Sequence, residues 1–481
     1  MDNSNHSIDI INSNNKTDFA SQNKFVKPSI HLFLAQLVVA VGGWIYWLII
    51  SKFTSPAEIG YATTIYSLVV ITTTIIQLGL EYPLLRDSHN NSHRILGTSL
   101  GIELAITLST IPFVLYVLAN VYHEAFLDFA WIAIGLIMLS SVGFVSRFVL
   151  LGVSNAKTVL IYDILGTSVK FISGSLLVAI GLGATGILLS FLLGISLTAA
   201  GTLLSSARSF TFLSWDSTLA KRIMRDGLAN TPSKLSRIFI LSLSVILLAT
   251  FGASSSDTGI FYIAVMISIA VGGLASSLAF MSIPASTTTN MDFSMKSLRL
   301  GLGFTAPLIS ILLVAPQHIL SIIGNEYISA SAILFVLTIG ILPSIIVANT
   351  ISKLNNSGRQ KELLVVGSIQ LLSFFIGFFA LVPQFGILGA AYSIVIAFSI
   401  SAILSLVWLD ILSRKYIVFS VMAIIAGSSV GFLVESVMNL DPLLAIVSSL
   451  VVSLIVVFKL GVTSLKEIRQ VANTAMKGKG G

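Results

Sequence analysis

The chain has 481 residues, of which 55% are hydrophobic and only 10% charged, and its mean hydropathy is +0.96. Soluble domains carry roughly 25% charged residues, so a soluble enzyme, a disordered scaffold and a nucleic-acid binder are excluded. The net charge of +7 reports membrane topology before any partner, and the absence of cysteine removes disulfides, thiolate metal sites and Cys nucleophiles.

Met1–Pro28 is rich in Asn and Ser and reads as a disordered cytoplasmic tail, too polar for a signal peptide. A hydrocarbon core of ~30 Å needs about 20 apolar residues per helix. On that ruler fourteen spans are expected. The first six are Ile30–Ile50, Ile59–Leu80, Ile95–Ala119, Phe126–Leu150, Val159–Gly181 and Ala184–Ser206. Thr231–Phe251, Thr258–Ile283, Leu298–Ile323, Ile328–Ser352, Leu363–Val382 and Phe385–Leu409 follow, and Ile417–Val434 and Leu443–Val462 close the set. With both termini inside, every Lys and Arg except Lys52 and Lys170 falls on the cytoplasmic side or at a cytoplasmic helix end. The outer loops hold Glu58, Glu124, Asp128, Asp257, Glu326, Glu435 and Asp441. The expected product is a multi-pass protein of the cytoplasmic membrane.

The chain also reads twice. Phe53, Glu58, Gly60 and Pro83 are echoed by Phe251, Asp257, Gly259 and Pro284 at offsets of 198, 199, 199 and 201, and Gly186-Ile187-Leu188 returns as Gly386-Ile387-Leu388. A repeat of six spans returns with the same orientation, which predicts parallel repeats about an axis along the membrane normal and a cavity between them. The expected organisation is a six-helix bundle at 29–207, a basic cytoplasmic linker at 208–230 and a second six-helix bundle at 231–412. Two additional spans at 413–463 and a basic cytoplasmic tail at 464–481 complete it.

Phe53-Thr54-Ser55-Pro56-Ala57-Glu58-Ile59-Gly60-Tyr61, the helix end Gln77-Leu78-Gly79-Leu80-Glu81-Tyr82-Pro83-Leu84-Leu85-Arg86, the stretch Ala315–Tyr327 and Phe385–Tyr392 together resemble the polysaccharide transporter family. These are O-antigen-type flippases of the superfamily that includes multidrug extrusion transporters and the peptidoglycan-precursor flippase. The resemblance implies translocation of an isoprenoid-(pyro)phosphate-linked glycan from the inner to the outer leaflet by alternating access. Its implied partners are that substrate, membrane lipids, and a glycan polymerase or glycosyltransferases of the same pathway. No cofactor, metal or nucleic acid is implied. The first span departs from the relatives: it has neither an acidic residue nor an Arg, and only His31 stands near its inner end.

Charge inside a span costs ~2.5–3.5 kcal/mol on insertion scales and tends to face a cavity or a partner. Lys170 sits deep in the fifth span, and Asp163 lies on the same helix face about 10 Å away along the axis. Either Lys170 is a midplane cation for a diphosphate or acidic sugar, tuned by Asp163, or it belongs to a structural ion pair, for instance with Glu103. Glu103, with Thr107 one turn on, is either a sugar- or proton-binding carboxylate or a packed one. At the inner ends of the second and seventh spans, Glu81, Arg86, Lys234 and Arg237 offer charge where a lipid phosphate would enter, or simply anchor the helices. Trp44, Tyr46 and Trp47 read as an interfacial aromatic belt, with sugar stacking as the second option. Two other functions stay in view: a multidrug or small-solute exporter of the same fold, and a membrane glycan polymerase or ligase. Short outer loops nearly devoid of base argue against the enzyme.

Overall fold

The computed structural model describes residues 42–464 apart from 44, 90–93, 121–123, 154, 209–213, 290–293, 358, 410 and 439–440. Both expected tails, His31, Trp44 and most of the first span therefore lie outside the described residues. Within them the fold is all-α. The helices are α1 (Pro56–Ile76), α2 (Glu81–His89), α3 (Ile95–Asn120), α4 (Ala130–Gly152), α5 (Ala156–Ala179), α6 (Gly183–Ala207) and α7 (Ser217–Thr250). They continue with α8 (Ser255–Thr289), α9 (Ser294–Val314), α10 (Pro316–Ile323), α11 (Ser331–Asn356), α12 (Gln360–Ser405), α13 (Ile411–Phe432) and α14 (Pro442–Lys459).

Eleven helices among the described residues are long and apolar enough to cross a membrane. One of them, Lys361–Ser405, carries both the eleventh and twelfth expected spans. The chain reverses there at Gly386, whose φ of 55° and ψ of −134° interrupt the helix. The two limbs meet: a Cβ on Gly389 would overlap the Leu381 carbonyl oxygen, and one on Gly377 would sit 3.3 Å from the Ser393 Cα. Only glycine takes that backbone conformation without strain. The seventh expected span appears as the apolar end of α7, Ile240–Thr250. Residues 45–50 are the described helical end of the first.

Local sequence explains the helix starts. Ser55 accepts the Glu58 backbone N–H, and Pro56 follows at the first helical position of α1. Asp216 caps α7, and Asp441 followed by Pro442 opens α14. Several buried hydroxyls inside spans return to carbonyls one turn back, as Thr63 does to Ile59 and Thr305 to Gly301, which satisfies those donors within the helix.

The helices pack in a few dominant pairings. α5 lies on α6 and α4 on α6; α8 and α12 both lie on α11; α1 touches α7 and α8. α13 and α14 pack on each other and on α9, to one side. At the end that the charge pattern puts outside, Glu58 of α1 accepts the Ala184 backbone N–H at 2.6 Å and so caps α6 from another helix.

Candidate functional site

α5 has two faces. Ile161, Ile164, Leu165, Ile172, Leu176 and Ile180 are exposed at helical spacing and form a lipid-facing stripe. Asp163, Gly166, Lys170 and Gly174 share the opposite face. The glycines there let α6 and the first span come close. A Cβ on Gly194 of α6 would lie 2.9 Å from the Lys170 Cβ, and one on Gly174 would lie 2.6 Å from the Tyr46 ring. The stem of Lys170 is therefore threaded between backbones, which fixes where its ammonium goes.

That ammonium stands over two rings, 4.9 Å from the centroid of Tyr46 and 4.9 Å from that of Phe191. Tyr46 is held by a 2.8 Å hydrogen bond with Ser190, and Tyr66 stacks on Phe191 at 4.3 Å. A desolvated cation over aromatic faces gains about 2 kcal/mol, which offsets only part of the cost of its burial. Among the described residues no carboxylate lies within salt-bridge reach of Lys170. Asp163 is instead engaged by Arg147 of α4, Nη1 to Oδ1 at 2.7 Å, with the carboxylate side chain only 3% exposed.

Tyr66, Arg147, Asp163, Lys170 and Phe191 line one cavity of about 330 Å³ between α1, α4, α5 and α6. Tyr66 and Phe191 give it aromatic wall, Ser140 and Thr167 give hydroxyls, and Arg147, Asp163 and Lys170 give charge. The balance is two cations to one anion, and the anion is already paired. Chemically the lining offers an ammonium that attracts negative charge, hydroxyls that hydrogen-bond and rings that stack.

The second half has a counterpart of about 330 Å³ between α7, α8, α11 and α12. Its wall includes Val265, Ile394 and Phe398, which stand at offsets of 199, 200 and 200 from Tyr66, Gly194 and Thr198. Its lining holds glycines, serines and apolar side chains and no charged residue. The two cavities match in volume, and only the first is lined by charged residues.

The other expected residues are distributed differently. Glu103 is fully buried on α3 and does not line the cavity; its neighbour Thr107 bonds the Glu103 carbonyl and Ser141 of α4. The ion pair present is Arg147–Asp163, and none joins Lys170 to Glu103 among the described residues. Glu81 opens α2. Arg86 lies on α2 and Lys234 and Arg237 on α7, with their side chains outside the described residues. Tyr46 and Trp47 are not an interfacial belt: they are 0% and 5% exposed, and Trp47 packs edge-on against Tyr262 of α8 at 5.1 Å. Arg147 was missed as a site residue because a base near an inner helix end looks like topology; its position one helix from Asp163 was the available signal.

Comparison of the sequence with known proteins gives no matching family model and no matching curated protein. The fold does match solved structures. The lipid II flippase MurJ, in an inward closed conformation, aligns over 88% of this chain and 97% of its own, with a TM-score of 0.66 at 15% identity. An outward-facing multidrug resistance MATE family transporter of the MOP superfamily aligns over 83% and 96%, with a TM-score of 0.57 at 17% identity. A MOP superfamily transporter from Pyrococcus furiosus, described as having a binding pocket of reversed polarity, aligns over 83% and 96%, with a TM-score of 0.51 at 15% identity. The chain has the fold of these transporters.

Proposed function

We propose that this chain is a flippase that carries an isoprenoid-(pyro)phosphate-linked oligosaccharide from the inner to the outer leaflet of the cytoplasmic membrane by alternating access. One observation carries the reading: Lys170, a cation without a carboxylate partner among the described residues, stands in a cavity of the first half beside aromatic walls and hydroxyls. A buried charge is retained where it binds something. A phosphate-bearing glycan supplies an anion for the ammonium and rings and hydroxyls for the rest. The isoprenoid chain remains with the bilayer while the head group passes through the protein. Likeness in fold to a lipid II flippase and to a transporter with a reversed-polarity pocket supports the reading.

Extrusion of small cationic compounds by the same fold fits less well. A cation entering this cavity meets Lys170 with no free carboxylate to offset it, because Asp163 is held by Arg147.

The test is reconstitution. Proteoliposomes holding the wild type should move a fluorescent isoprenoid-diphosphate-linked sugar to the outer leaflet, and Lys170→Ala should not, at equal protein content. Undiminished movement by Lys170→Ala would remove the basis of the proposal. Efflux of a cationic dye by the wild type, with no lipid-linked sugar moved, would favour the exporter.

A further inference from the structure

α7 begins well before its apolar part. Ser217–Leu228 lies outside any apolar span, at the end that the charge pattern puts in the cytoplasm, and it is firmly mounted. Asp216 accepts the Thr218 and Leu219 backbone N–H groups, and its own N–H donates to Thr98 Oγ1 at 3.1 Å. Leu219, Ala220 and Ile223 are buried against Leu80, Leu96, Leu100 and Val145. Gly227 sits close to the Leu78 carbonyl oxygen, and Arg222 reaches Asp87 of α2 at 3.1 Å.

The outward face of this rigid helix has an unusual make-up. Lys221, Met224, Arg225 and Leu228 follow one another at spacings of three and one along a single face, and all are exposed. Met224 is 36% exposed, Leu228 52%, and Trp215 just before the helix 58%. A water-facing helix has no reason to display Trp, Met and Leu together, and a protein-facing one would not alternate them with Lys and Arg. Apolar side chains beside bases, with Trp at the boundary, are the pattern of a helix lying in the membrane interface. Next to this face is a cleft of about 510 Å³ lined by Asp216, Thr218, Leu219, Lys221, Arg222 and Arg225. The lining carries three bases against one carboxylate, and that carboxylate is committed to its cap; Arg222 contacts Asp87 and Arg225 has Asp226 at 3.4 Å, while Lys221 has no carboxylate within ion-pair distance among the described residues.

We propose that the exposed face of Ser217–Leu228 lies in the membrane surface and that its cleft binds the head group of an anionic phospholipid, with Lys221 and Arg225 against the phosphate and Trp215, Met224 and Leu228 among the upper acyl carbons. Such a contact would pin the connection between the two halves to the leaflet while the halves move. The inference does not depend on the transported substrate.

The test uses the cysteine-free chain. Met224→Cys carrying a solvent-sensitive fluorophore is placed in nanodiscs of phosphatidylcholine with a minor fraction of phosphatidylglycerol, and either lipid is brominated in turn at equal mole fraction. Two bases near an anionic surface enrich the anionic lipid on the order of tenfold, so brominated phosphatidylglycerol should quench far more than brominated phosphatidylcholine. Lys221→Gln with Arg225→Gln should remove that excess while leaving the Arg222–Asp87 mount in place. Equal quenching by both lipids would overturn the head-group site. Quenching by aqueous iodide with none by either lipid would overturn the membrane contact as well. Relief of the phosphatidylglycerol excess by soluble glycerol phosphate would assign the cleft to a free phosphate and overturn the lipid.

Discussion

Gly60 of α1 and Gly259 of α8 meet backbone to backbone across the two halves. A Cβ on Gly60 would overlap the Ser255 carbonyl oxygen, and one on Gly259 would overlap the Pro56 carbonyl oxygen. The contacts are images of each other at one offset, since 259 − 60 and 255 − 56 both equal 199. The ends of α1 and α8 that the charge pattern puts outside are thus closed on each other.

If that contact is an outer seal, a side chain there should open it. Overpacking costs about 1–3 kcal/mol, so Gly60→Val should shift the balance roughly tenfold toward parted helices. Thr64, one turn deeper and buried, reports this as Thr64→Cys: a membrane-impermeant thiol reagent applied outside should label it faster in the Gly60→Val background. Unchanged labelling would show that the seal lies elsewhere.

The Arg147–Asp163 pair should behave as one unit. Removing one partner of a buried pair strands the other charge, at about 3–5 kcal/mol. Arg147→Met should therefore lower the melting temperature in detergent sharply, and Arg147→Met with Asp163→Leu should restore most of it. Lys170→Met should leave the melting temperature near the wild-type value, since it strands no carboxylate. A large loss with Lys170→Met would assign that residue to the fold.

Glu58 caps α6 through Ala184, whereas among the described residues the Asp257 side chain, at the equivalent offset, bonds only Ser254 three residues before it. A lost N-terminal cap costs ~1 kcal/mol. Glu58→Ala should destabilise measurably, and Asp257→Ala by less, in the same melting experiment. The reverse order would contradict the assignment.

The cap on α7 carries a pH signature. The Asp216 carboxyl is held below its usual range by the Leu219 backbone N–H and the Thr218 side chain. A depressed folded value means the cap contributes above the ordinary aspartate pKa and is lost as pH falls through the folded one. Amide protection of Ser217–Ala220, corrected for intrinsic exchange, should fall in that acid window in the wild type and stay flat in Asp216→Asn.

Much of this was legible in the sequence. Span order, the alternation of bases and the short gaps at Gly181–Gly183 and between Val382 and Phe385 follow from hydropathy; the reversal itself falls at Gly386, inside the expected twelfth span. Lys170 stood out because it alone among the bases sits deep in a span. What escaped was pairing between helices. Arg147 obeys the positive-inside pattern and so looked explained, yet its guanidinium turns inward to Asp163. Tyr46 and Trp47 sit near the end of a span by counting, but Phe191 and Tyr262 close over them, and Tyr66 stacks on Phe191. The glycine echo at 60 and 259 was visible; that the two glycines touch is a property of how the halves pack.

The central claim is that Lys170 recognises phosphate, and equilibrium binding to the purified chain tests it most directly. A short-chain isoprenyl diphosphate and the matching isoprenol are titrated against the wild type and Lys170→Met. A charge-assisted contact of about 1.5–3 kcal/mol predicts that the wild type prefers the diphosphate on the order of 10- to 100-fold and that the variant loses this preference while binding the alcohol unchanged. Equal preference for the diphosphate in both proteins would contradict the account.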